Sequence, residues 1–182
     1  MIMYPVGCKV VHPFYGAGTI CHIQEKRIGE QQHSYYVILT ICKSMQLMVP
    51  VKAAQSLGLR TVGEAAGLRQ ALSDCRAAPV QEIEKDLHLR QAEMREGLKS
   101  GSYERVAGVV RQLYMMGSRR TLGTVDRQLL DQGKDLLASE LAVASGVALD
   151  QAMQEIESCL ITVAEEGDAA KHSVQNPEAA GG

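Results

Sequence analysis

The first sixty residues carry short apolar runs that are separated by polar or glycine-containing turns. A turn at residues 16–18 and a polar hairpin loop at residues 29–32 divide these runs. Four runs favour strands, because β-branched or alternating apolar residues dominate them. They span 6–12, 19–25, 35–41 and 47–51. Four or five short strands joined by glycine turns in about 55 residues are typical of a small antiparallel barrel.

Beyond residue 60 the apolar residues recur at the spacing of amphipathic helices. Thr61 and Glu64 form a capping-box pattern, and Ser102 and Thr124 are N-cap candidates. Pro79 suits a first helical turn, and glycines follow several of the predicted helix ends. The pattern predicts five helices over 61–74, 79–100, 102–117, 124–146 and 147–164.

The change of period divides the chain into three parts. Residues 1–60 form a predicted β domain and residues 61–164 a predicted helical domain. Residues 165–182 are small, polar and acidic, so we expect a disordered tail. The fold class is therefore α+β, a small antiparallel β-barrel followed by an all-α domain of about five helices. No long flexible linker separates the two domains, so we expect them to be held in a fixed relation.

Composition narrows the class of protein further. The chain has 182 residues, 46% of them hydrophobic and 22% charged, which supplies enough apolar material for a packed core. The sequence has no apolar run of about 18 residues, so we expect no membrane span, and its N-terminus lacks a signal-peptide pattern. The five cysteines form no ligand-spaced pairs, which favours reduced thiols, a cytoplasmic location and no zinc site.

The net charge of −2 hides a gradient along the chain. Residues 1–60 carry +4, residues 61–120 carry +2 and residues 121–182 carry −8. A basic N-terminal part with an acidic C-terminal part allows a local nucleic-acid contact without requiring one.

Motifs of the common enzyme classes are absent from the sequence. It contains no P-loop, no GxSxG, no GxGxxG that opens a helix and no HExxH. Glu82, Glu84 and Asp86 lie at a predicted helix start, where acidic residues complement the helix dipole. We therefore expect no catalysis, no cofactor and no metal ion.

The N-terminal residues carry a family signature. A G-x-x-V-V-x-P-x-x-G-x-G opening is followed by a tyrosine-rich strand, a V-P-V strand and a G-L-R exit at Gly58, Leu59 and Arg60. In motif order and spacing the chain resembles the CarD/CdnL family of bacterial transcription regulators. Their first module also begins the polymerase-binding part of transcription-repair coupling factors. The resemblance covers about residues 4–164, since the helical part matches in its break at 78–79 and its L-K-S-G helix end.

The resemblance implies that the N-terminal domain is a Tudor/SH3-like barrel. In the family this barrel docks on the lobe of the RNA polymerase β subunit, largely by sheet-edge pairing. Met48 stands where some members have arginine, so a hydrophobic contact would replace a salt bridge. The corresponding candidate residues of this chain are Lys26, Arg27, Leu47, Met48, Val49 and Pro50.

The resemblance also implies that the helical domain touches promoter DNA, weakly and without sequence preference, in the minor groove beside the melted region. The family places a tryptophan wedge early in the second helix, whereas this chain has no tryptophan and has Leu87 at that position. Leucine serves as a wedge in other minor-groove binders, but Leu87 fits a core helix position equally well. His88, Arg90 and Arg95 are candidate phosphate contacts, although five acidic residues share their helix.

The expected function is that of a monomeric, nucleoid-associated regulator that binds RNA polymerase and modulates promoter open-complex stability. Three alternatives stay open, and the most remote is an enzyme, which a deep pocket with convergent polar groups would reveal. The missing tryptophan is compatible with a polymerase-binding adaptor or repressor that has lost the DNA wedge and whose helical domain binds another protein. The acidic C-terminal part of the chain is compatible with a helical module that recruits a further protein.

Overall fold

The computed structural model describes residues 4–79 and 83–174, with side chains described as far as Ile161. Five strands precede five helices, which confirms the α+β class. The strands are β1 (Lys9–His12), β2 (Gly16–Ile28), β3 (Gln31–Thr40), β4 (Gln46–Pro50) and β5 (Arg60–Thr61). The helices are α1 (Ala65–Ala77), α2 (Leu87–Lys99), α3 (Tyr103–Arg119), α4 (Thr124–Ser145) and α5 (Leu149–Val174). A short 3-10 helix, Val51–Ala53, follows β4.

The strands form one antiparallel sheet in the order β4-β3-β2-β1-β5. A register shift between Ile20 and His22 interrupts the long strand β2, as a bulge does where a sheet bends. Because β4 and β5 are opposite edges, the barrel is open along one side in the described strands. The inward residues form one core: Tyr4, Val10, Ile20, Tyr36, Ile38, Val49, Ala54 and Leu59.

The helical domain is built around α3 and α4, which contact each other and the three remaining helices. Their facing side chains, among them Leu113 and Leu141, are fully buried. Close approach depends on small residues, since a Cβ atom at Gly133 of α4 would overlap Val110 of α3. The helical core is therefore a set of interlocking surfaces in which single methyl groups matter.

Hydrogen bonds centred on α4 join the two domains. Arg60 donates from Nη1 and Nη2 to the two carboxylate oxygens of Glu140 at 2.6 and 2.7 Å. The N–H of Gly63 donates to the same carboxylate at 3.1 Å, and that of Ala17 donates to Ser139 Oγ at 3.0 Å. Glu140 and Ser139 are buried, so breaking these bonds would leave polar groups unpaired away from water. This joint holds the β domain against α4.

The predicted capping box at residues 61–64 is wrong. Thr61 lies in β5, where it pairs with Val10 of β1. The N-cap of α1 is Glu64, whose side chain makes no capping hydrogen bond. The helix begins only at Ala65, because sheet pairing holds Thr61 in an extended conformation.

The second helix begins later than the sequence pattern predicts. It starts at Leu87 rather than at Pro79, and residues 80–82 of the predicted helix lie outside the described residues. Asp86 determines the start, since its Oδ1 accepts a hydrogen bond from the N–H of Leu89 at 2.8 Å. A side chain that accepts from the first helical turn is the stronger start signal.

The last two helices also differ from the prediction. Thr124 is the first residue of α4, and the N-cap is Gly123. The fifth helix continues to Val174, past the predicted end at residue 164 and into the segment predicted to be disordered. Alanine and glutamate in this segment favour helix continuation. Residues 175–182 of the predicted tail lie outside the described residues.

Candidate functional site

Strand β4 forms an edge of the sheet. It pairs with β3 along Tyr35–Leu39, and no described strand pairs with its other side. One row of its backbone N–H and C=O groups is therefore open to a further strand. An extended segment of a partner adds to such an edge by main-chain hydrogen bonds.

The outer face of the sheet beside this edge carries exposed apolar residues. The pairing register aligns His22, Val37 and Met48 across three strands, with Leu39 in the next row. Met48 is 39% exposed and Leu39 42% exposed, while Val37 between them is buried. This outer patch gives an added strand an apolar surface to cover.

The six predicted polymerase-contact residues do not share one surface. Successive side chains of a strand alternate between the two faces of the sheet, so Lys26, Met48 and Pro50 lie on its outer face. Val49 belongs to the buried core of the β domain, so its side chain is not available to a partner. Leu47 packs against that core, leaving β4 to contribute its backbone there.

Arg27 lies on the opposite face of β2 from Lys26. Both are exposed near the tip of the β2–β3 hairpin, where Lys26 pairs with His33 and Arg27 with Gln32. Val37 lies four positions after His33 on β3, which is about 13 Å along the strand. Lys26 therefore lies on the face of the apolar patch but at a distance from Met48, and Arg27 lies on the other face.

Leu87 begins helix α2 and is 48% exposed, so it is not a core position. Leu89 beside it is 50% exposed, and His88 between them is also exposed. The hydrogen bond from the N–H of Leu89 lowers the pKa of the Asp86 carboxyl, which stays ionised as the helix cap. The start of α2 thus presents an apolar pair to solvent.

Arg90 is not a surface residue, in contrast to its proposed contact with phosphate. It is 5% exposed, and its Nη2 donates to Asp126 Oδ2 at 3.1 Å. Asp126, also buried, accepts a second bond from Gln91 Nε2 at 2.9 Å. The sequence could not reveal this pair, because its partners are separated by 36 residues. Arg90 ties the first turn of α2 to the first turn of α4.

The remaining cations of α2 form a stripe. His88, Arg95 and Lys99 are exposed, and helical spacing places them within about 40° of one another around the axis. Glu93 and Glu96 lie about 80° or more from His88 on the same wheel. Glu93 is therefore turned away from the basic stripe, whereas Glu96 lies about 60° from Lys99 and borders it.

Three further cations extend this basic surface. Arg119 and Arg120 end α3, and Arg127 lies in the first turn of α4; all three are exposed. The bonds to Asp126 bring this first turn beside the start of α2. The sequence analysis missed these arginines, although the Arg-Arg pair before a helix start was a usable signal. We call Leu87, His88, Arg119, Arg120 and Arg127 the basic end.

Other kinds of site find no support in the part of the chain that the structure describes. Within the described ranges no three His, Cys, Asp or Glu side chains are grouped as metal ligands would be. None of the described helices has the length and apolarity needed to cross a bilayer. The five cysteines are free thiols.

Comparison with known proteins decides the family. Residues 4–63 match the CarD-like/TRCF RID domain, and residues 72–157 match the CarD C-terminal domain. The chain is also similar to "Putative transcription factor YdeB" of Bacillus subtilis (strain 168). That protein is 30% identical over 153 residues, which cover 82% of this chain and 97% of the relative. The chain belongs to the CarD family.

CarD proteins are transcription regulators and not enzymes, in agreement with the absence of catalytic motifs from the sequence. The first matched segment coincides with the β domain, and the second lies within the helical domain. Both halves of the CarD architecture are therefore present in this chain, in the family order.

Proposed function

We propose that this protein binds the lobe of the RNA polymerase β subunit through β4 and modulates promoter open-complex stability through its helical domain. The helical domain makes weak, sequence-independent contact with promoter DNA in the minor groove. The protein acts as a monomer in the cytoplasm, at the nucleoid, and needs no cofactor. The observation that carries the proposal is the presence of a free sheet edge and a basic end on domains that the Arg60–Glu140 joint holds together.

Support for the polymerase contact comes from β4. Its free edge offers main-chain pairing, and Met48 offers an apolar side chain beside it. Lys26, on the face of the patch, and Arg27, exposed at the same hairpin tip, would steer an acidic partner surface toward this part of the sheet. Exposed Leu39 enlarges the apolar area that an added strand would cover.

Support for the DNA contact comes from the basic end. Arg119, Arg120 and Arg127 can contact phosphates, since arginine forms strong bidentate pairs with them. Leu87 projects from the same end as an exposed apolar side chain. Leucine inserts between base steps in other minor-groove proteins, where it unstacks the bases and bends the duplex.

The physical mechanism is binding linkage. A protein that binds the open promoter complex better than the closed one shifts the equilibrium by the difference in binding free energy. A preference of about 1.4 kcal/mol gives about a tenfold shift. No chemical step is required, which agrees with a non-enzymatic family.

The β4 contact is tested by binding of the full chain to the isolated β lobe. We expect Met48→Glu to weaken binding by tenfold or more, because the charge would be buried beside the added strand. Leu57→Glu is the matched control, since Leu57 is also an exposed apolar residue but lies outside the sheet. Equal binding by both variants would refute the β4 contact.

A second candidate function is that of a polymerase-bound adaptor or repressor whose helical domain binds a protein. Exposed Leu87 and Leu89 favour it, since two exposed apolar side chains in the first turn of α2 also suit a protein partner. The two functions are separated by cross-linking from the start of α2 in a promoter complex. Cross-links to DNA support the first function, and cross-links only to protein support the second.

A further inference from the structure

A cleft lies between the two domains, along the side of the α2–α4 pair. Phe14, in the turn between β1 and β2, forms one wall. Arg95 and Lys99 of α2 and Gln128 and Gln132 of α4 supply the polar side chains around a volume of about 250 Å³, and three apolar residues complete its lining. Its described lining contains two cations and two amides but no carboxylate.

Phe14 is 49% exposed, although a phenylalanine at this position could have been buried between the domains. The ammonium group of Lys99 lies over its ring, 5.5 Å from the ring centre. A cation held over an aromatic face keeps its remaining donors available for an anion. The β domain thus positions a cation that belongs to the helical domain.

The cleft is continuous with the basic stripe of α2. His88, Arg95 and Lys99 lie on one face of the helix, and His88 belongs to the basic end. The helical rise places Lys99 about 17 Å from His88 along the axis. Measured along the duplex axis, this length corresponds to about five phosphates of one strand.

Negative charge beyond Phe14 limits how far an anion can extend along the cleft. On the other side of Phe14 a second cleft is lined by Asp131 and Asp135, with Lys43. Carboxylates there repel phosphate. The favourable path therefore ends at Phe14.

We infer that this cleft receives phosphates of the DNA backbone, so that the DNA contact extends from the basic end along α2 to Phe14 of the β domain. The inference rests on the proposed DNA contact and enlarges it to a site built by both domains. Two cations and two amide donors without a carboxylate suit a phosphodiester chain, which offers only acceptors and negative charge. The turn that holds Phe14 becomes part of the DNA-facing surface.

The test measures binding of the full chain to a fluorescent promoter duplex as a function of KCl concentration. The logarithm of affinity falls as the logarithm of salt concentration rises, and each phosphate contact adds about 0.9 to the magnitude of this slope. We expect Lys99→Gln to reduce the slope by about 0.9 and Phe14→Lys to increase it by about 0.9. Gln132→Glu should weaken binding, because it places a carboxylate in the cleft.

Two matched controls carry the same changes of charge elsewhere. Gln154→Glu and Ile161→Lys alter exposed residues of α5 and should leave the slope unchanged. If the Lys99 and Phe14 variants show the same slope as the unaltered protein, the inference is overturned. The proposed DNA contact at the basic end would not be affected. Loss of β-lobe binding by Lys99→Gln with an unchanged slope would also overturn it, in favour of an acidic protein partner. Absence of duplex binding by the unaltered protein would overturn both the DNA contact and the cleft.

Discussion

At the scale of single residues, burial separates the charged side chains of α2 into two roles. Arg90 is enclosed with Asp126, while His88 and Arg95 are exposed. A buried ion pair contributes little net stability, yet removing one partner leaves the other charge buried without a counter-charge. Arg90 therefore stabilises the fold, whereas the exposed cations remain available for the proposed DNA contact.

We expect Arg90→Ala to lower the free energy of unfolding by about 3 to 5 kcal/mol, because it leaves Asp126 buried and unpaired. Urea denaturation measures the change. Arg95→Ala is the matched control, since Arg95 is exposed and its loss should change stability by about 0.5 kcal/mol or less. Equal stability of the two variants would show that the Arg90–Asp126 pair is not buried in solution.

His12 makes the stability of the turn that holds Phe14 dependent on pH. Burial lowers the pKa of His12 below its ordinary value of 6.5. Its Nδ1 accepts a hydrogen bond from the N–H of Phe14 at 3.1 Å, which requires that nitrogen to be unprotonated. The stabilisation of the turn is therefore complete above pH 6.5 and is lost as the pH falls through the lowered pKa.

Hydrogen exchange at the Phe14 amide measures this loss, after correction for the intrinsic exchange rate at each pH. We expect protection to decrease in the unaltered protein as the pH falls below 6.5 and through the lowered pKa of His12. His22→Asn should keep that dependence, since His22 is exposed on the sheet, whereas His12→Asn should remove it. Constant protection over this range would contradict the assigned hydrogen bond.

At the scale of elements, local sequence signals located the strands and most helices. The Ser102 cap is confirmed, since its Oγ accepts from the N–H of Arg105 at 3.3 Å. The capping box at Thr61 failed because pairing with distant β1 overrode a local signal. The exposure of Leu87 was likewise undecidable from periodicity, since it depends on where the helix begins and on what covers that end.

Two helix glycines predict opposite responses to a methyl group. Gly133→Ala should destabilise the protein by about 1 to 3 kcal/mol, since the new Cβ overlaps Val110 in a packed core. Gly108→Ala should stabilise it by about 0.5 to 1 kcal/mol, because nothing lies within 4 Å and alanine favours helix. Thermal unfolding of both variants measures the contrast. Stabilisation by both would mean that α3 and α4 do not pack closely at Gly133.

At the scale of the whole molecule, the proposed function requires that two surfaces keep a fixed relation. The free edge of β4 belongs to one domain and the basic end to the other, and the Arg60–Glu140 joint connects them. The family resemblance could be found from motif spacing alone. The Arg119–Arg120 pair was visible in the sequence, but its approach to the start of α2 was not, because it depends on the packing of three helices.

We propose that the direction of this modulation is stabilisation of the open promoter complex while the protein is bound to polymerase. The most direct test is the lifetime of open complexes on a ribosomal RNA promoter with the cognate polymerase, measured with and without the protein. The account predicts a longer lifetime with the protein present. An unchanged lifetime, with binding to the β lobe intact, would contradict it.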